Sequence, residues 1–237
     1  MMMAIRPIPF IMSTDMRVQH PSRLSGFTLI ELLVVISIVL IASSIIFIGG
    51  NSGSGSSLSS SMRIVSGIAQ GARGQALLKN ADTRLIIHND PTDLEKYRRF
   101  FGIVYEGVDK DEDGNVIRAG WKAATQGTFL PQGIYFDPEL VSDTPVDQEM
   151  DIEYPRVNAV EEGTGSNYFY YAFNSNGTSD NDPANAWLPL RAGNLDASGE
   201  LVPYDSEGTE AFVKAALIFR KAGTVSRVSD PGAVSNN

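Results

Sequence analysis

Asp109-Lys110-Asp111-Glu112-Asp113-Gly114-Asn115 sets carboxylates at alternate positions before a glycine, the D-x-D-x-D-G opening of a calcium loop. Alternate carboxylates converge on a hard cation when the chain turns sharply, and Gly114 permits that turn. The twelfth position from Asp109 is Gly120, where an EF-hand has a bidentate Glu, so Asp109, Asp111 and Asp113 need a further ligand from elsewhere. The simpler reading of the same residues is a solvated acidic tip on a hairpin. The two histidines, His20 and His88, lie far apart, and His88 reads as a polar residue at a strand end before Asn89-Asp90-Pro91. Without cysteine there is no thiolate nucleophile, zinc-thiolate site or disulfide framework. No G-x-S-x-G, Walker loop, Rossmann fingerprint or H-E-x-x-H occurs, and the Gly/Ser tract Gly49–Ser57 lacks the lysine of a phosphate loop. The residues therefore predict a protein that is not an enzyme and that needs no cofactor, calcium being the one candidate.

Glu31 is the other residue that asks for chemistry. It lies in Phe27–Ile48, a run of 22 residues with no other charge. As a helix such a run spans roughly 33 Å, enough for a hydrocarbon core of about 30 Å. Arg6, Arg17 and Arg23 precede it against Asp15 alone, and no charged residue follows until Arg63. The positive-inside bias predicts a single span with a cytoplasmic N-terminus and an exported remainder. A secretory signal peptide is the competing explanation, opposed by the length of the run, the lack of an A-x-A-like closing site and the acid near its start. A carboxylate near the hydrocarbon boundary is costly and implies a partner.

Ser25-Gly26-Phe27-Thr28-Leu29-Ile30-Glu31-Leu32-Leu33-Val34-Val35-Ile36 resembles the class III signal of type IV prepilins: a basic leader ending in Gly, then Phe-Thr-Leu-Ile-Glu and a long apolar helix. The resemblance implies cleavage by a prepilin peptidase between Gly26 and Phe27, N-methylation of Phe27, and pairing of Glu31 with the N-terminal amine of a neighbouring subunit. It implies as partners other pilins or pseudopilins, an inner-membrane assembly platform and the lipid bilayer. The expected location is the inner membrane, with the C-terminal domain in the periplasm and later in a fibre. A start at Met16 would give a leader closer to family length and leave residues 1–15 outside it. Losing residues 1–26 removes three Arg and one Asp and takes the net charge from −9 to −11, so no nucleic-acid partner is expected.

The elements that position these residues follow from periodicity. The chain divides into a leader (1–26), an assembly helix (27–48), a Gly/Ser hinge (49–57) and an exported domain (58–237). Leu58, Met62, Val65, Ala69, Ala72 and Ala76 recur at spacings of 4, 3, 4, 3 and 4, the stripe of an amphipathic helix. Beyond it short β-type runs are expected at 84–88, 100–105, 116–122, 134–136, 168–173, 216–220 and 224–228, with hairpin turns at Asp113-Gly114 and Ala222-Gly223. In Tyr168–Phe173, alternation puts Tyr168, Tyr170 and Ala172 on one side and Phe169, Tyr171 and Phe173 on the other. Segments 137–166 and 174–206 read as long surface insertions. The fold expected is α+β and pilin-like: a long apolar helix continuing into an amphipathic one, packed on one or two antiparallel sheets.

Gly71–Asn80, Phe173-Asn174-Ser175-Asn176-Gly177 and Ala222–Val228 resemble segments of the H-type minor pseudopilin of type II secretion and related minor pilins. Some pseudopilins bind calcium, although the major subunit's site is not recognisable here. The function implied is a structural subunit of a type II secretion pseudopilus or a type IV pilus-like fibre. The alternative is a membrane-tethered envelope binding protein or enzyme that uses the prepilin targeting route.

Overall fold

All six stripe residues, Leu58 to Ala76, are buried in the computed structural model, on one face of helix α1 (Ser54–Lys79). The structure describes residues 29–30, 32–36, 54–141, 148–181, 184–196, 198–204, 213–230 and 233–234. The chain forms two separate units, Met1–Phe47 and Ile48–Asn237. Helix α1 takes in Ser54-Gly55-Ser56-Ser57, which the composition had marked as hinge, and residues 49–53 lie outside the described residues. At its other end Asn80 adopts φ 48° and the Ala81 N–H donates to the Ala76 carbonyl, a left-handed cap that stops the helix, with Lys79 beside the orphan carbonyls of the last turn.

Eleven strands follow among the described residues: β1 (Thr83–His88), β2 (Phe100–Lys110), β3 (Val116–Ala123), β4 (Thr128–Phe129), β5 (Ile134–Phe136), β6 (Glu149–Ile152), β7 (Ser166–Phe173), β8 (Trp187–Leu195), β9 (Leu201–Pro203), β10 (Lys214–Phe219) and β11 (Val225–Val228). They pair antiparallel into two sheets. The first has the order β3-β2-β1-β7-β6, with β4 also on β2. The second has the order β11-β10-β8-β5, with β9 on β8. The α+β class expected from the sequence is the one observed. Both hairpin turns form where Gly114 (φ 88°) and Gly223 (φ 77°) supply a left-handed backbone.

Helix α1 packs against both sheets, and one core joins its stripe to Leu85, Phe101 and Tyr171 of the first sheet and to Phe136, Leu188 and Phe219 of the second. The Tyr171 and Phe219 rings stack at 4.4 Å, and the Tyr171 hydroxyl donates to the Trp187 carbonyl at 2.6 Å, so one buried side chain ties the sheets together. Burial pushes the Tyr171 phenol well above its ordinary pKa.

Segments 137–166 and 174–206 are not simply surface insertions. The first contains β6, whose Met150 and Ile152 cover the outer face of the first sheet in a second small core with Ile86, Phe100, Val104 and Tyr168. The second contains β8, the central strand of the second sheet. Pro189 within β8 disguises it, because proline lacks the N–H that a central strand normally needs. The Pro189 carbonyl accepts from the Asp137 N–H, one residue past the end of β5. Backbone N–H and C=O of one strand residue point the same way, so the missing donor faces the side where β5 has ended and β10 loses nothing.

Candidate functional site

The N-terminal unit and the folded domain solve the same problem in opposite ways. Residues 29–30 and 32–36 are helical, all seven are apolar, and their exposures run from 50 to 81%. Seven positions over two turns encircle a helix, so among the described residues no face is reserved for water. Such a surface is stable only against lipid or other helices. Gly26, Phe27 and Glu31 lie outside the described residues, as do His20 and the leader. No helix among the described residues is long and apolar enough to cross a membrane.

Residues 22–47 match the family model of the prokaryotic N-terminal methylation motif. The chain carries a pilin-type N-terminus. The match spans the Gly26–Phe27 junction, Glu31 and the apolar run, and supports a type IV pilin-like, membrane-anchored protein of the envelope. No curated protein and no solved structure matches the chain.

In the folded domain, the segments Gly71–Asn80, Phe173–Gly177 and Ala222–Val228 meet in space. Arg73 of α1 donates through Nε to the Gly177 carbonyl at 3.0 Å. The same carbonyl sits against Gly223, where a Cβ would collide with it, and a Cβ on Gly177 would press on Leu77 at 3.0 Å. The Asp82 carboxylate accepts from the Ser175 N–H at 3.1 Å. Helix end, aromatic-led turn and closing hairpin are thus locked together through two glycines at positive φ.

The acidic run is spread out rather than gathered. Asp109 lies on β2 and receives Lys122 Nζ at 2.6 Å and the Ala159 N–H at 2.9 Å. The Lys122 hydrogen bond holds its carboxyl below the ordinary range. Asp111 receives both the side chain and the backbone N–H of Asn115, which close the turn and lower its pKa. Asp113 is exposed at the tip. Among the described residues no three His, Cys, Asp or Glu side chains group closely enough to hold a metal ion.

His88 is the last residue of β1, at the strand end expected, and it is buried there. It is 1% exposed, its ring meets Tyr168 edge-on at 5.1 Å, and its Nδ1 has no hydrogen-bond partner. Burial lowers its pKa, outweighing the attraction of Asp93. The aromatic strand places its side chains on the two faces that alternation requires, with Phe169, Tyr171 and Phe173 in the central core and Tyr168 and Tyr170 in the outer one. Both faces are packed, although Tyr170 is only half-buried and lines the hollow beside Arg84.

Arg84 was not singled out by the sequence. Its guanidinium lies between the rings of Trp121 (4.2 Å) and Tyr170 (4.0 Å) and reaches Glu162 at 2.9 Å. The signal that points to it is faint: an arginine in an apolar strand, with its partners 37 and 86 residues away.

Proposed function

We propose that this chain is a non-enzymatic structural subunit: a minor pilin or pseudopilin cut by prepilin peptidase between Gly26 and Phe27, methylated at Phe27 and assembled into a type II secretion pseudopilus or a type IV pilus-like fibre. The observation that carries the reading is the methylation-motif match across the cleavage junction. The apolar helical surface of residues 29–30 and 32–36 supports it, because a fibre core of packed helices and a bilayer both supply what that surface lacks. Before assembly the span holds the protein in the inner membrane, N-terminus inward. An assembly platform then lifts subunits out, and Glu31 neutralises a neighbour's amine only when the helices are in axial register, since either charge alone is costly in an apolar setting. The presence of Glu31 argues against the type of tip subunit that lacks this acid.

Intact-mass and N-terminal analysis of the protein from native membranes, with and without active peptidase, tests the reading. The expected result is a chain that begins at N-methylated Phe27 only when the peptidase is active. An uncut chain, or one cut elsewhere, favours the second reading, a membrane-tethered binding protein. For that reading the relevant feature is a polar cavity of about 470 Å³ between Arg98, Asp137, Arg191 and Glu200.

A further inference from the structure

The first turns of α1 and the ends of β10 and β11 enclose a groove of about 450 Å³ whose chemistry differs from the rest of the domain. Its apolar lining comes from Leu58, Met62, Val213 and Ala215, and its charged lining from Arg63, Lys214 and Arg227. No acid is among the described residues that line it, in a chain of net charge −9. The contrast with the neighbouring hollows is sharp. The cavity beside Asp137 also contains Glu139 and Glu200, and the one beside Arg84 contains Asp82, Glu106, Glu162 and Asp180.

Arg63 and Arg227 are exposed, and neither makes an ion pair among the described residues. Lys214 is buried beneath them, and its pKa is lowered by burial and then by Arg191. An occupant that satisfies both linings is an amphiphile with an anionic head and an apolar body.

Covalent connection says where such a molecule comes from. Gly55, at one end of the groove, follows the last residue of the apolar run, Ile48, by seven positions, at most about 25 Å of extended chain. If the run spans a bilayer, as the proposed function has it, the groove stays within reach of that bilayer's exported leaflet. We propose that the groove binds the headgroup of an anionic phospholipid, with the phosphate between Arg63 and Arg227 and the first carbons of the acyl chains along Leu58 and Met62. The inference rests on the membrane-inserted reading of the N-terminus. Its physical consequence is a second hold on the membrane, from the folded domain, which must be released when the subunit leaves the bilayer.

The test uses the full chain in nonionic detergent micelles doped with phosphatidylglycerol or phosphatidylcholine, with bound lipid counted by native mass spectrometry. Retention of phosphatidylglycerol and not phosphatidylcholine is expected, with about a tenfold or greater drop in the bound fraction for the double variant Arg63→Glu/Arg227→Glu. Lys221→Glu, at the far tip of the β10–β11 hairpin, should retain lipid as the parent does. Unchanged melting temperatures for both variants establish that the difference lies in binding. Equal retention of the two lipids, or full retention by the double variant, overturns the proposal. Displacement of the lipid by millimolar inorganic phosphate overturns it in favour of a free-anion site. A two-chain mass lost in the double variant overturns it in favour of a subunit interface. Carbonate extraction of native membranes tests the membrane reading separately: a chain washed off by carbonate defeats that reading whatever the lipid count shows.

Discussion

Two helical regions of this molecule use apolar residues in different ways. In residues 29–36 every described side chain is apolar and at least half exposed, whereas in α1 the stripe Leu58, Met62, Val65, Ala69, Ala72 and Ala76 is 8% exposed or less, and only Leu77 and Leu78 at the helix end are large apolar residues left in the open. The second pattern is complete within one chain, because two sheets converge on the stripe and water is left with the polar face. The first is incomplete without something from outside. Function therefore belongs to the first region and stability to the second, and changes in each should have effects that do not cross over.

The largest effect expected is at Glu31. Glu31→Ala should abolish incorporation into fibres, as the proposed function requires, while the melting temperature of the folded domain stays that of the parent, and a variant that assembled normally would break the comparison. Next comes the core. Phe219→Ala removes a ring stacked on Tyr171 at the junction of helix and sheets and should cost about 3–5 kcal/mol by denaturant unfolding, whereas Leu33→Ala should leave the folded domain's unfolding unchanged. Loss of domain stability in Leu33→Ala would show that the two regions are energetically one.

Two glycines sharpen the comparison within the stable region. Gly223→Ala meets both a positive φ and the Gly177 carbonyl and should destabilise by about 1–3 kcal/mol. Gly74→Ala, inside α1 with open space where the Cβ would go, should stabilise by about 0.5–1 kcal/mol.

A smaller effect concerns pH. His88 has a folded-state pKa below its ordinary 6.5, so as pH falls below 6.5 the unfolded chain takes up a proton that the folded one refuses, and stability declines until the lowered folded value is passed. Above 6.5 the contribution is complete. The lowered carboxylates Asp90 and Asp93 act only as pH falls through and below their ordinary value of 3.8, whereas the His88 effect sets in at 6.5. His88→Leu should flatten the melting temperature between neutral pH and the region just above the carboxylates, and an unchanged slope would mean that His88 is not the group responsible.

Much of this architecture is legible in the residues because much of it is local. The α1 stripe is a spacing of threes and fours, and the two faces of β7 follow from alternation. The glycine turns at Gly114 and Gly223 need a backbone that few other residues adopt. Strand β6 had a readable signal, the alternation Glu149-Met150-Asp151-Ile152, masked by the acidic, turn-forming residues around it. Strand β8 was hidden for a different reason. Pro189 argues against a central strand unless it is known that the neighbouring strand stops at that residue, and that is a fact about pairing rather than about sequence.

The same division holds for the candidate sites. Gly26, Phe27 and Glu31 lie within one short stretch of the chain, and the methylation motif at 22–47 could be recognised without any fold. The residues alone also determined the helix, its buried face and most of the strands, since each depends on interactions within a few positions. Only the tertiary structure decided that Asp109 is held by Lys122 and Ala159, that His88 is buried without a partner for Nδ1, that Arg84 lies between two rings, and that Arg63, Lys214 and Arg227 line one groove. Those arrangements join side chains from strands and loops far apart in sequence, and no local pattern encodes which distant segments will pair.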